Sequence, residues 1–356
     1  MKKKILEVCE AFGGGVFAYV SQLCNDMCDT FEVYLAYGLR SQTPTNFKEL
    51  LDERIHLIEV PNFHSLKKIG KSVKFLRKIE QDIQPDIIHL HSSLAGGIGR
   101  IAFKKRKNNT VYTPHGYAHI LLGKGFKSFV YKCFEKKLGN RAISLTCCES
   151  ENEEAKKFSK RTSFIETGID VEAFDKVLQN INNDKADKKF TVFTLGRICT
   201  QKQPKVFNKI ATLAPNINFV WIGDGELRKE LTAPNIRITG WLPRMEALKI
   251  AKTADVFVLC SLGEAIAMSL LENMYLKKLC LVSNTIGNSS VINDGINGYV
   301  CERPEDYATR IIESEKFYPS ACIIHAFDDV LKIYNREMMK EKYVSFYSNL
   351  IESQHE

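Results

Sequence analysis

The sequence lacks most of the patterns that assign a protein to a common functional class. It contains no run of about 18 apolar residues, the length that crosses a bilayer, so no membrane span is predicted. No P-loop, H-E-x-x-H, G-x-S-x-G or internal repeat is present, so the chemistries that depend on those motifs have no support. The 11 cysteines form no C-x2-C pair, and most lie in apolar runs, as expected in a reducing cytoplasm.

What is present is an ordinary globular composition with an uneven charge. The chain has 356 residues, 44% of them hydrophobic and 26% charged, enough for two domains with sizeable cores. Its start, M-K-K-K-I-L-E-V-C-E, predicts a strand and not a signal peptide, because Glu7 and Glu10 interrupt the apolar part. The formal net charge is +8, yet residues 60–141, with 17 Lys and Arg against 4 Asp and Glu, carry +13. This basic segment suggests an anionic partner: a membrane surface, a nucleic acid or a phosphorylated substrate.

A glycine-rich turn, Ala11–Gly15, lies between the first predicted strand and a helix. It formally matches the dinucleotide fingerprint G-x-G-x-x-[GA]. The next predicted strand, Phe31–Tyr37, ends without the carboxylate that would hold an adenosine ribose, so NAD is not favoured. The glycines still allow a backbone to approach a ligand closely, and Gly14 and Gly15 are candidate ligand-binding residues.

Three histidines follow in neighbouring segments. His89 and His91 lie on one face of a predicted strand, which makes a metal conceivable, but the sequence places no acidic residue or cysteine nearby, and no metal site is predicted. His115 follows the short strand Thr110–Thr113 in the sequence T-P-H-G. Such a turn is either structural or functional, and the residues alone leave both open.

Alternating strands and helices continue along both halves of the chain and predict an α/β protein. The polar segment Asn180–Lys189 predicts a boundary between domains at 1–180 and 190–330. A long aromatic helix, at about Asp328–Ser353, occupies most of the remaining region, 331–356.

The second half begins with a strand, Thr191–Leu195, that leads to Arg197 and Lys202 in the spacing R-x4-K. Arg can bind phosphate through two hydrogen bonds, and two cations together suit a diphosphate. Alone, this pattern is common by chance. It gains meaning from a second pattern downstream.

That second pattern is a pair of carboxylates in the spacing E-x7-E. Val256–Cys260 predicts a buried strand and Met268–Leu276 a helix, with Glu264 in the turn and Glu272 inside the helix. The free amides of a first helical turn suit an anion such as a diphosphate. The turn and the first helical turn supply four such candidates: Ala265, Ile266, Ala267 and Met268. For an isolated pair the simpler alternative is a helix start and a solvated carboxylate.

Taken together, E-x7-E, R-x4-K, T-P-H-G and the turns G-D-G at 223–225 and G-W-L-P at 240–243 resemble the retaining GT-B glycosyltransferases of family 4. The resemblance covers most of the chain. It implies that Glu264 approaches the donor sugar, that Glu272 binds the ribose and that Arg197 and Lys202 clamp the diphosphate. It further implies that His115 points toward the reacting sugar, and that the remaining donor contacts come from Gly223, Trp241 and Leu242.

The same resemblance implies a fold and a reaction. Two Rossmann-like domains would face each other across a cleft, and the terminal helix would return to the first. The enzyme would move a sugar with retention from a nucleoside diphosphate, expected to be UDP, without a metal or cofactor. The expected acceptor is a polyprenyl-diphosphate-linked glycan of a capsule or envelope polysaccharide, at the cytoplasmic face of the plasma membrane. One departure is that E-A-I-A replaces the family's usual E-G-x-P, so Ala265 narrows the backbone choices there.

The predicted helix at 125–138 has two interpretations. Its apolar residues recur at helical spacing, and Lys127, Lys132 and Lys136 interleave with them. Either the apolar stripe packs on the core, or the helix lies on an anionic membrane and presents the enzyme to a lipid-linked acceptor.

Two other functional classes stay open from the sequence. A sugar-nucleotide epimerase of similar two-domain shape would turn over without an acceptor. A non-catalytic nucleotide-sugar or nucleic-acid binding protein would use the basic segment, but no nucleic-acid recognition module is present in the sequence and no such partner is predicted.

Overall fold

The computed structural model describes residues 2–123, 125–181 and 189–353 and divides the described chain into two compact units. The first comprises 2–120, 125–167 and 337–353, and the second comprises 121–123 and the described residues of 168–336. Each unit is built on its own parallel sheet with helices, so the predicted α/β class and the two Rossmann-like domains are confirmed.

The first unit contains a seven-stranded sheet within the described residues, in the order β3-β2-β1-β4-β5-β6-β7. The strands are β1 (Lys4–Cys9), β2 (Glu32–Tyr37), β3 (His56–Glu59), β4 (Ile87–His91), β5 (Thr110–Thr113), β6 (Ile143–Thr146) and β7 (Thr162–Phe164). The helices are α1 (Gly14–Met27), α2 (Ile69–Ile83), α3 (Ser93–Ala102), α4 (Ala118–Leu121), α5 (Phe126–Leu138) and α6 (Glu149–Ala155). The central strands β1, β4 and β5 are buried almost throughout, as in parallel sheets covered on both faces.

The second unit contains a six-stranded parallel sheet in the order β10-β9-β8-β11-β12-β13. Its strands are β8 (Thr191–Leu195), β9 (Asn218–Ile222), β10 (Ile236–Ile238), β11 (Val256–Leu259), β12 (Leu279–Ser283) and β13 (Tyr299–Cys301). Its helices are α7 (Val171–Gln179), α8 (Pro204–Leu213), α9 (Arg244–Thr253), α10 (Met268–Tyr275), α11 (Asn288–Val291), α12 (Pro304–Lys316) and α13 (Ser320–Lys332). The last helix of the chain, α14 (Arg336–Glu352), follows. Short 3₁₀ turns lie at Phe47–Leu50, Leu66–Lys68, Gly139–Arg141, Thr200–Lys202 and Arg228–Glu230.

The position of the division between the units differs from the one expected at 180–190. Asp170 caps α7 by accepting a hydrogen bond from the amide of Ala173 at 2.9 Å. Phe174 of this helix then packs with Leu248 in the second unit, so the second unit already begins at Gly168. Most of the polar segment 180–189 lies outside the described residues.

The single terminal helix expected at 328–353 is wrong, because the chain forms α13 and α14 with a break at 333–335. At the break Ile169 forms an isolated β-bridge with Asn335. The amide of Ile169 donates to Tyr334 O and that of Arg336 to Ile169 O, so strand-like bonds replace the helical ones. The return of the terminal helix to the first unit is confirmed, because Tyr343 and Tyr347 of α14 are fully buried there.

Among the described residues, no helix is both long and apolar enough to span a membrane.

Candidate functional site

In the second unit the predicted donor residues lie at the carboxyl ends of neighbouring strands. Leu195, Ile222, Leu259 and Ser283 end β8, β9, β11 and β12, which are four consecutive strands of the sheet in the order β9-β8-β11-β12. Ligands of open parallel sheets bind at this edge, where strand ends meet helix starts. The loops after these four strands contact one another, as the following hydrogen bonds and close approaches show.

Lys202 and Glu264 form an ion pair. Lys202 Nζ lies 2.7 Å from Glu264 Oε1, and both side chains are largely buried. Gln201, at the same 3₁₀ turn, donates to Glu264 Oε2 at 3.2 Å and to the carbonyl of Gly263 at 3.1 Å. The amide of Leu262 donates back to Gln201 O at 2.8 Å. The loop after β8 is therefore tied to the loop after β11, and the Glu264 carboxylate is held on both oxygens.

Arg197 occupies a more open position. Its guanidinium donates to Glu226 at 3.1 Å, and both side chains are about half exposed, so it can turn toward an anion at little cost. The adjoining backbone is tightly packed, because Trp221 Nε1 donates to Gly196 O at 2.9 Å. A Cβ atom on Gly223 would lie 2.2 Å from that same oxygen, and Gly223 has φ of +138°. Only glycine suits this position beside Arg197.

Glu272 is paired with a residue that the sequence analysis missed. Arg244, the first residue of α9, donates to Glu272 Oε1 at 2.6 Å. The carboxylate is 13% exposed and the guanidinium 62% exposed, so the carboxylate lies inward and the cation at the surface. The two carboxylates of E-x7-E thus each have a cation, from the 3₁₀ turn after β8 in one case and from α9 in the other.

The start of α10 is suited to an anion. Its N-cap is Ala267, whose side chain has no acceptor for the amides of the first turn. Met268 is the first helical residue, while Ile266 and Ala267 are buried. Ala265 does not adopt a positive φ, so the replacement of the family's glycine causes no backbone strain. The backbone of Ala265 instead packs tightly against Gly287, because a Cβ atom on Gly287 would lie 2.2 Å from Ala265 O.

Trp241 and Leu242 follow the end of β10. Gly223 and Gly240 form an isolated antiparallel bridge, which places this turn next to the loop after β9. Trp241 is 65% exposed, which is unusual for so large an apolar side chain, whereas Leu242 is half-buried. An exposed tryptophan beside these loops can contact a ligand.

In the first unit His115 lies just beyond the end of β5. It has a positive φ of +53°, uncommon outside glycine, and Gly116 has φ of +88°. The strained turn is held by Glu151 of α6, which accepts from the amides of Gly116 at 2.7 Å and Cys147 at 3.1 Å. Burial raises the pKa of Glu151 to about 7, although these hydrogen bonds act in the opposite direction. Strain maintained by buried contacts is typical of functional sites.

His115 is joined to a buried polar cluster at the ends of β1 and β4. His115 Nε2 lies 3.0 Å from His91 Nδ1, and His91 Nε2 lies 2.6 Å from Glu7 Oε2. His89 Nδ1 is 2.6 Å from the hydroxyl of Tyr347 in α14, and that hydroxyl is 3.0 Å from Glu7 Oε1. The expectation that no acidic residue is near His89 and His91 is therefore wrong, because the pairing of β1 with β4 places Glu7 beside these histidines.

Burial determines the charge of this cluster. It raises the pKa of Glu7 to about 8 and lowers the pKa of His91 to about 3. Burial and the neighbouring His91 both hold the pKa values of His89 and His115 well below the usual range. The neutral forms are thus favoured at physiological pH.

Gly14 and Gly15 lie at the start of α1. Both are exposed, Gly14 has φ of +56°, and a Cβ atom on either would meet nothing within 4 Å. The backbone is therefore open to a ligand there, which agrees with the sequence expectation without identifying the ligand.

α5 has an exposed face of aromatic and basic residues. Phe126, Phe129 and Phe134 are 80%, 63% and 55% exposed, so of the two interpretations of this helix the one that packs the apolar stripe on the core does not hold for these three residues. The basic residues Lys127, Lys132, Lys136 and Lys137 are exposed beside them. We call these seven residues the α5 surface.

A buried ion pair anchors α5 to α3. Glu135 of α5 receives hydrogen bonds from both terminal nitrogens of Arg100 in α3, at 2.9 and 3.1 Å. The hydroxyl of Tyr112 also donates to Glu135, at 3.0 Å, and the guanidinium stacks over the Tyr112 ring.

Gln201, Arg244 and Glu7 are the site residues that sequence reasoning missed. Gln201 is the last of the four intervening residues of R-x4-K, directly before Lys202, so the pattern itself contained it. Arg244 and Glu7 carry no local signal, since their partners are 28 and 84 residues away along the chain.

Comparisons with known proteins identify the family of this chain. The family described as Glycosyltransferase Family 4 matches residues 13–173, and the family described as Glycosyl transferases group 1 matches residues 176–319. The chain is 32% identical over 286 residues to the UDP-Gal:alpha-D-GlcNAc-diphosphoundecaprenol alpha-1,3-galactosyltransferase of Escherichia coli. That alignment covers 71% of this chain and 73% of the relative.

Solved structures show the same fold. Sucrose-phosphate synthase from Thermosynechococcus elongatus superposes with a TM-score of 0.82 at 14% identity, covering 99% of this chain and all of that one. The Anabaena protein Alr3699/HepE in complex with UDP and glucose gives 0.75 at 16% identity, covering 98% and 100%. The fold is that of the GT-B glycosyltransferases. The chain belongs to glycosyltransferase family 4.

Proposed function

We propose that this glycosyltransferase moves a sugar from UDP to a hydroxyl of a polyprenyl-diphosphate-linked glycan, with retention of anomeric configuration and without a metal. One observation carries the proposal most directly: Arg197, Lys202 and Glu264 lie on adjoining loops at one sheet edge, with Lys202 and Glu264 in contact, and Glu272 lies in the helix that follows the second loop. This set supplies positive charge for a diphosphate and acceptors for sugar and ribose hydroxyls.

The proposed chemistry requires the protein mainly to stabilise a leaving group. As the bond from the sugar to UDP breaks, negative charge grows on the diphosphate. Lys202, Arg197 and the first-turn amides of α10 would bind that charge, and preorganised groups of this kind contribute much of an enzyme's acceleration. In a front-face retaining reaction the departing diphosphate takes the proton of the attacking hydroxyl. No separate protein base is then needed.

The ion pairs in the described site would exchange partners when the donor binds. Lys202 leaves or shares Glu264 for a phosphate oxygen, and Glu264 then accepts a hydrogen bond from the donor sugar. Arg244 likewise uncovers Glu272 for the ribose hydroxyls. The exposed guanidinium of Arg197 can move with small loss, since surface ion pairs are worth about 1 kcal/mol or less, whereas the inward carboxylate of Glu272 would need the ribose hydroxyls in place of Arg244.

The proposed acceptor is supported by the relative from Escherichia coli, whose name gives a diphosphoundecaprenol-linked GlcNAc as its acceptor. It is also supported by the α5 surface, which combines aromatic side chains with cations as interfacial helices do. Arg100 and Glu135 keep the helix from turning these phenylalanines inward. We propose that the α5 surface contacts the anionic cytoplasmic face of the plasma membrane.

The decisive experiment is turnover of labelled UDP-galactose, UDP-glucose, UDP-GlcNAc and UDP-GalNAc with and without a polyprenyl-diphosphate-linked GlcNAc. Release of UDP that depends on the acceptor, with label appearing in the lipid product in the α configuration, is the expected result. Conversion of one UDP-sugar into another without acceptor would instead identify an epimerase.

A thermal-shift series with the same nucleotide sugars separates binding from catalysis. A true donor at a hundred times its dissociation constant should stabilise the protein by about 2.7 kcal/mol. Stabilisation without any turnover, across all acceptors tried, would leave a nucleotide-sugar binding protein as the better description.

A further inference from the structure

A continuous line of buried hydrogen bonds leads from a backbone carbonyl to the site histidine of the first unit. It passes through Thr113, His89, Tyr347, Glu7 and His91 before it reaches His115. We infer that this line fixes His115 in the tautomer with its proton on Nε2, so that Nδ1 is a hydrogen-bond acceptor for a ligand hydroxyl. Glu7 and His91 are then positioning residues that act through His115.

The direction in which protons are donated along this line is fixed at the Thr113 end. Thr113 Oγ1 lies 2.6 Å from Leu145 O, and a carbonyl can only accept, so the hydroxyl proton of Thr113 points to Leu145. Thr113 Oγ1 must then accept the bond from His89 Nε2, 2.8 Å away. His89 therefore carries a proton on Nε2.

A neutral His89 has a lone pair on Nδ1, so the hydroxyl of Tyr347 must donate to it across 2.6 Å. Were Glu7 ionised, Tyr347 would donate to it and His89 would carry both ring protons; with His89 neutral, the Tyr347 oxygen instead accepts from Glu7 Oε1, 3.0 Å away. Glu7 consequently carries its proton on Oε1. The raised pKa of Glu7, about 8, agrees with a protonated carboxyl in this fully buried place.

The other oxygen of Glu7 determines the tautomers of His91 and His115. Oε2 is a bare acceptor, so His91 must donate to it from Nε2 across 2.6 Å. A neutral His91 then offers a lone pair on Nδ1, and His115 must donate to it from Nε2 across 3.0 Å. His115 is left with a lone pair on Nδ1. Burial lowers the pKa of His91 to about 3 and that of His115 well below normal, in keeping with neutral rings.

The tautomer inferred for His115 does not depend on whether the proton shared by Glu7, Tyr347 and His89 lies on Glu7 or on His89. If the Glu7 proton moves through Tyr347 to His89, Glu7 becomes a carboxylate and His89 a cation. Oε2 of Glu7 is an acceptor in both cases, so His91 and His115 keep the same tautomers. The same bonds argue against a metal among Glu7, His89 and His91, because 2.6 Å between His91 Nε2 and Glu7 Oε2 is a hydrogen-bond distance. Two tetrahedral zinc ligands about 2.0–2.1 Å from the ion lie roughly 3.3 Å apart.

An Nδ1 lone pair limits what His115 can do. In the structure its contact is the thiol of Cys147, whose Sγ lies 3.7 Å away, a weak partner that a better donor can replace. The hydroxyl of a sugar is such a donor. His115 would orient that hydroxyl and not protonate a leaving group. The identity of the ligand rests on the proposed function, whereas the tautomer of His115 does not.

The test is the ¹⁵N spectrum of the histidine rings in the full-length protein, which distinguishes a protonated from an unprotonated ring nitrogen. The wild-type protein without ligand should show His115 protonated on Nε2 and bare on Nδ1. The reverse pattern, or a doubly protonated ring near neutral pH, would overturn the inference whatever the enzyme's activity. A protein with this tautomer but no glycosyl transfer would retain the inference and reject the proposed function.

Variants test the direction of the line. Glu7→Leu removes the acceptor of His91, so His91 should move its proton to Nδ1 and force the proton of His115 onto Nδ1. Glu7→Gln keeps an acceptor for His91 and a donor for Tyr347, and should restore the wild-type His115 signals. If Glu7→Leu does not fold, the spectra of the wild type and of Glu7→Gln still decide the question.

Tyr347→Phe tests the step on the other side of Glu7. It removes the acceptor that holds the Glu7 proton on Oε1, so that proton can move to Oε2 and be donated to His91, and the His115 signals should shift toward protonation on Nδ1. In turnover assays Glu7→Leu should lower kcat/KM about 10-fold relative to Glu7→Gln, the size of one lost hydrogen bond. Unchanged His115 signals in Glu7→Leu or in Tyr347→Phe would contradict the proposed line.

Discussion

Lys202 Nζ and Glu264 Oε1 are 2.7 Å apart at the carboxyl edge of the second sheet. Replacing Lys202 by Ala leaves a largely buried carboxylate unpaired and removes one cation from the proposed diphosphate clamp. We expect turnover to fall by roughly 10²–10³, as when one preorganised electrostatic group is removed, and stability to fall as well. Arg197→Ala should lower turnover similarly with little loss of stability, because its pair with Glu226 is exposed.

Lys205→Ala is the control for charge alone. Lys205 lies on α8, is 80% exposed and forms only a 3.6 Å pair with Glu230, so its loss should leave turnover near the wild-type value. Near-normal turnover in folded Lys202→Ala or Arg197→Ala would exclude these residues from the clamp. Steady-state kinetics and chemical denaturation of the four proteins measure both quantities.

Gly223→Ala should disturb the loop beside Arg197. The added methyl would lie 2.2 Å from Gly196 O at φ of +138°, so the backbone of one loop or the other must move. Gly295→Ala, at φ of +74° with nothing within 4 Å of the added atom, shares the strain without the collision. We expect Gly223→Ala to weaken UDP binding at least 10-fold more than Gly295→Ala, because the collision moves the Arg197 backbone. Calorimetric titration with UDP checks this, and equal affinities would exclude a role for the loop.

Chelation tests the proposed metal independence. Since Arg197 and Lys202 would supply the charge on the diphosphate, turnover should be unchanged by excess EDTA. The measurement is UDP release before and after dialysis against EDTA. Loss of turnover that Mg²⁺ or Mn²⁺ restores would refute this part of the mechanism.

Glu7→Gln isolates the effect of one buried carboxyl on the pH dependence of stability. Burial raises the pKa of Glu7 from 4.5 to about 8, so between these values the folded protein binds a proton that the unfolded chain has lost. This contribution is present below pH 4.5 and is lost as the pH rises through about 8, at up to about 1.4 kcal/mol per pH unit. Gln does not titrate.

The free energy of unfolding of Glu7→Gln relative to the wild type should therefore rise with pH across that window. His91, with a pKa lowered to about 3, contributes in the opposite sense below the usual histidine value, and equally in both proteins. Denaturant titrations at several pH values measure the difference. A difference that does not vary with pH would mean that Glu7 is ionised in the folded protein.

Liposome co-sedimentation tests the α5 surface. Near an anionic leaflet each lysine contributes about 1 kcal/mol, so changing Lys127, Lys132 and Lys136 together to Gln should weaken binding by roughly 10²-fold at low salt. Binding should require anionic lipid and decrease as salt rises. A triple variant of Lys74, Lys78 and Lys104, exposed cations outside α5, is the control for net charge. Equal recovery of all three proteins, or binding to neutral vesicles alone, would point to a soluble acceptor.

Much of the fold could be predicted from the sequence, because its signals are local. Short apolar runs ending at glycine or charged turns identified most strands, and the carboxyl ends of those strands carried Arg197, Lys202, Glu264 and Glu272. Strand–helix alternation then required parallel sheets, whose carboxyl edges collect these residues. The resemblance to family 4 depended on the same local motifs.

Other features depended on contacts between distant segments. One helix was expected at 328–353, but the bridge between Ile169 and Asn335 breaks it, and no property of residues 333–335 alone requires that break. Whether the aromatic residues of α5 faced the core was equally undecidable, because a helical repeat shows which residues share a face but not what covers it. The pair of Arg100 and Glu135 sets that orientation.

The sequence by itself determined the α/β class, the family resemblance and the residues proposed to bind the donor, since each is written in short motifs and in hydrophobic periodicity. Tertiary structure alone decided the partners of those residues. Parallel pairing of β1 with β4 brings Glu7 to His91, and the return of α14 brings Tyr347 to both Glu7 and His89. A proton position on His115 thus depends on residues up to 340 positions apart, because hydrogen bonds follow distance in space and not order in the chain.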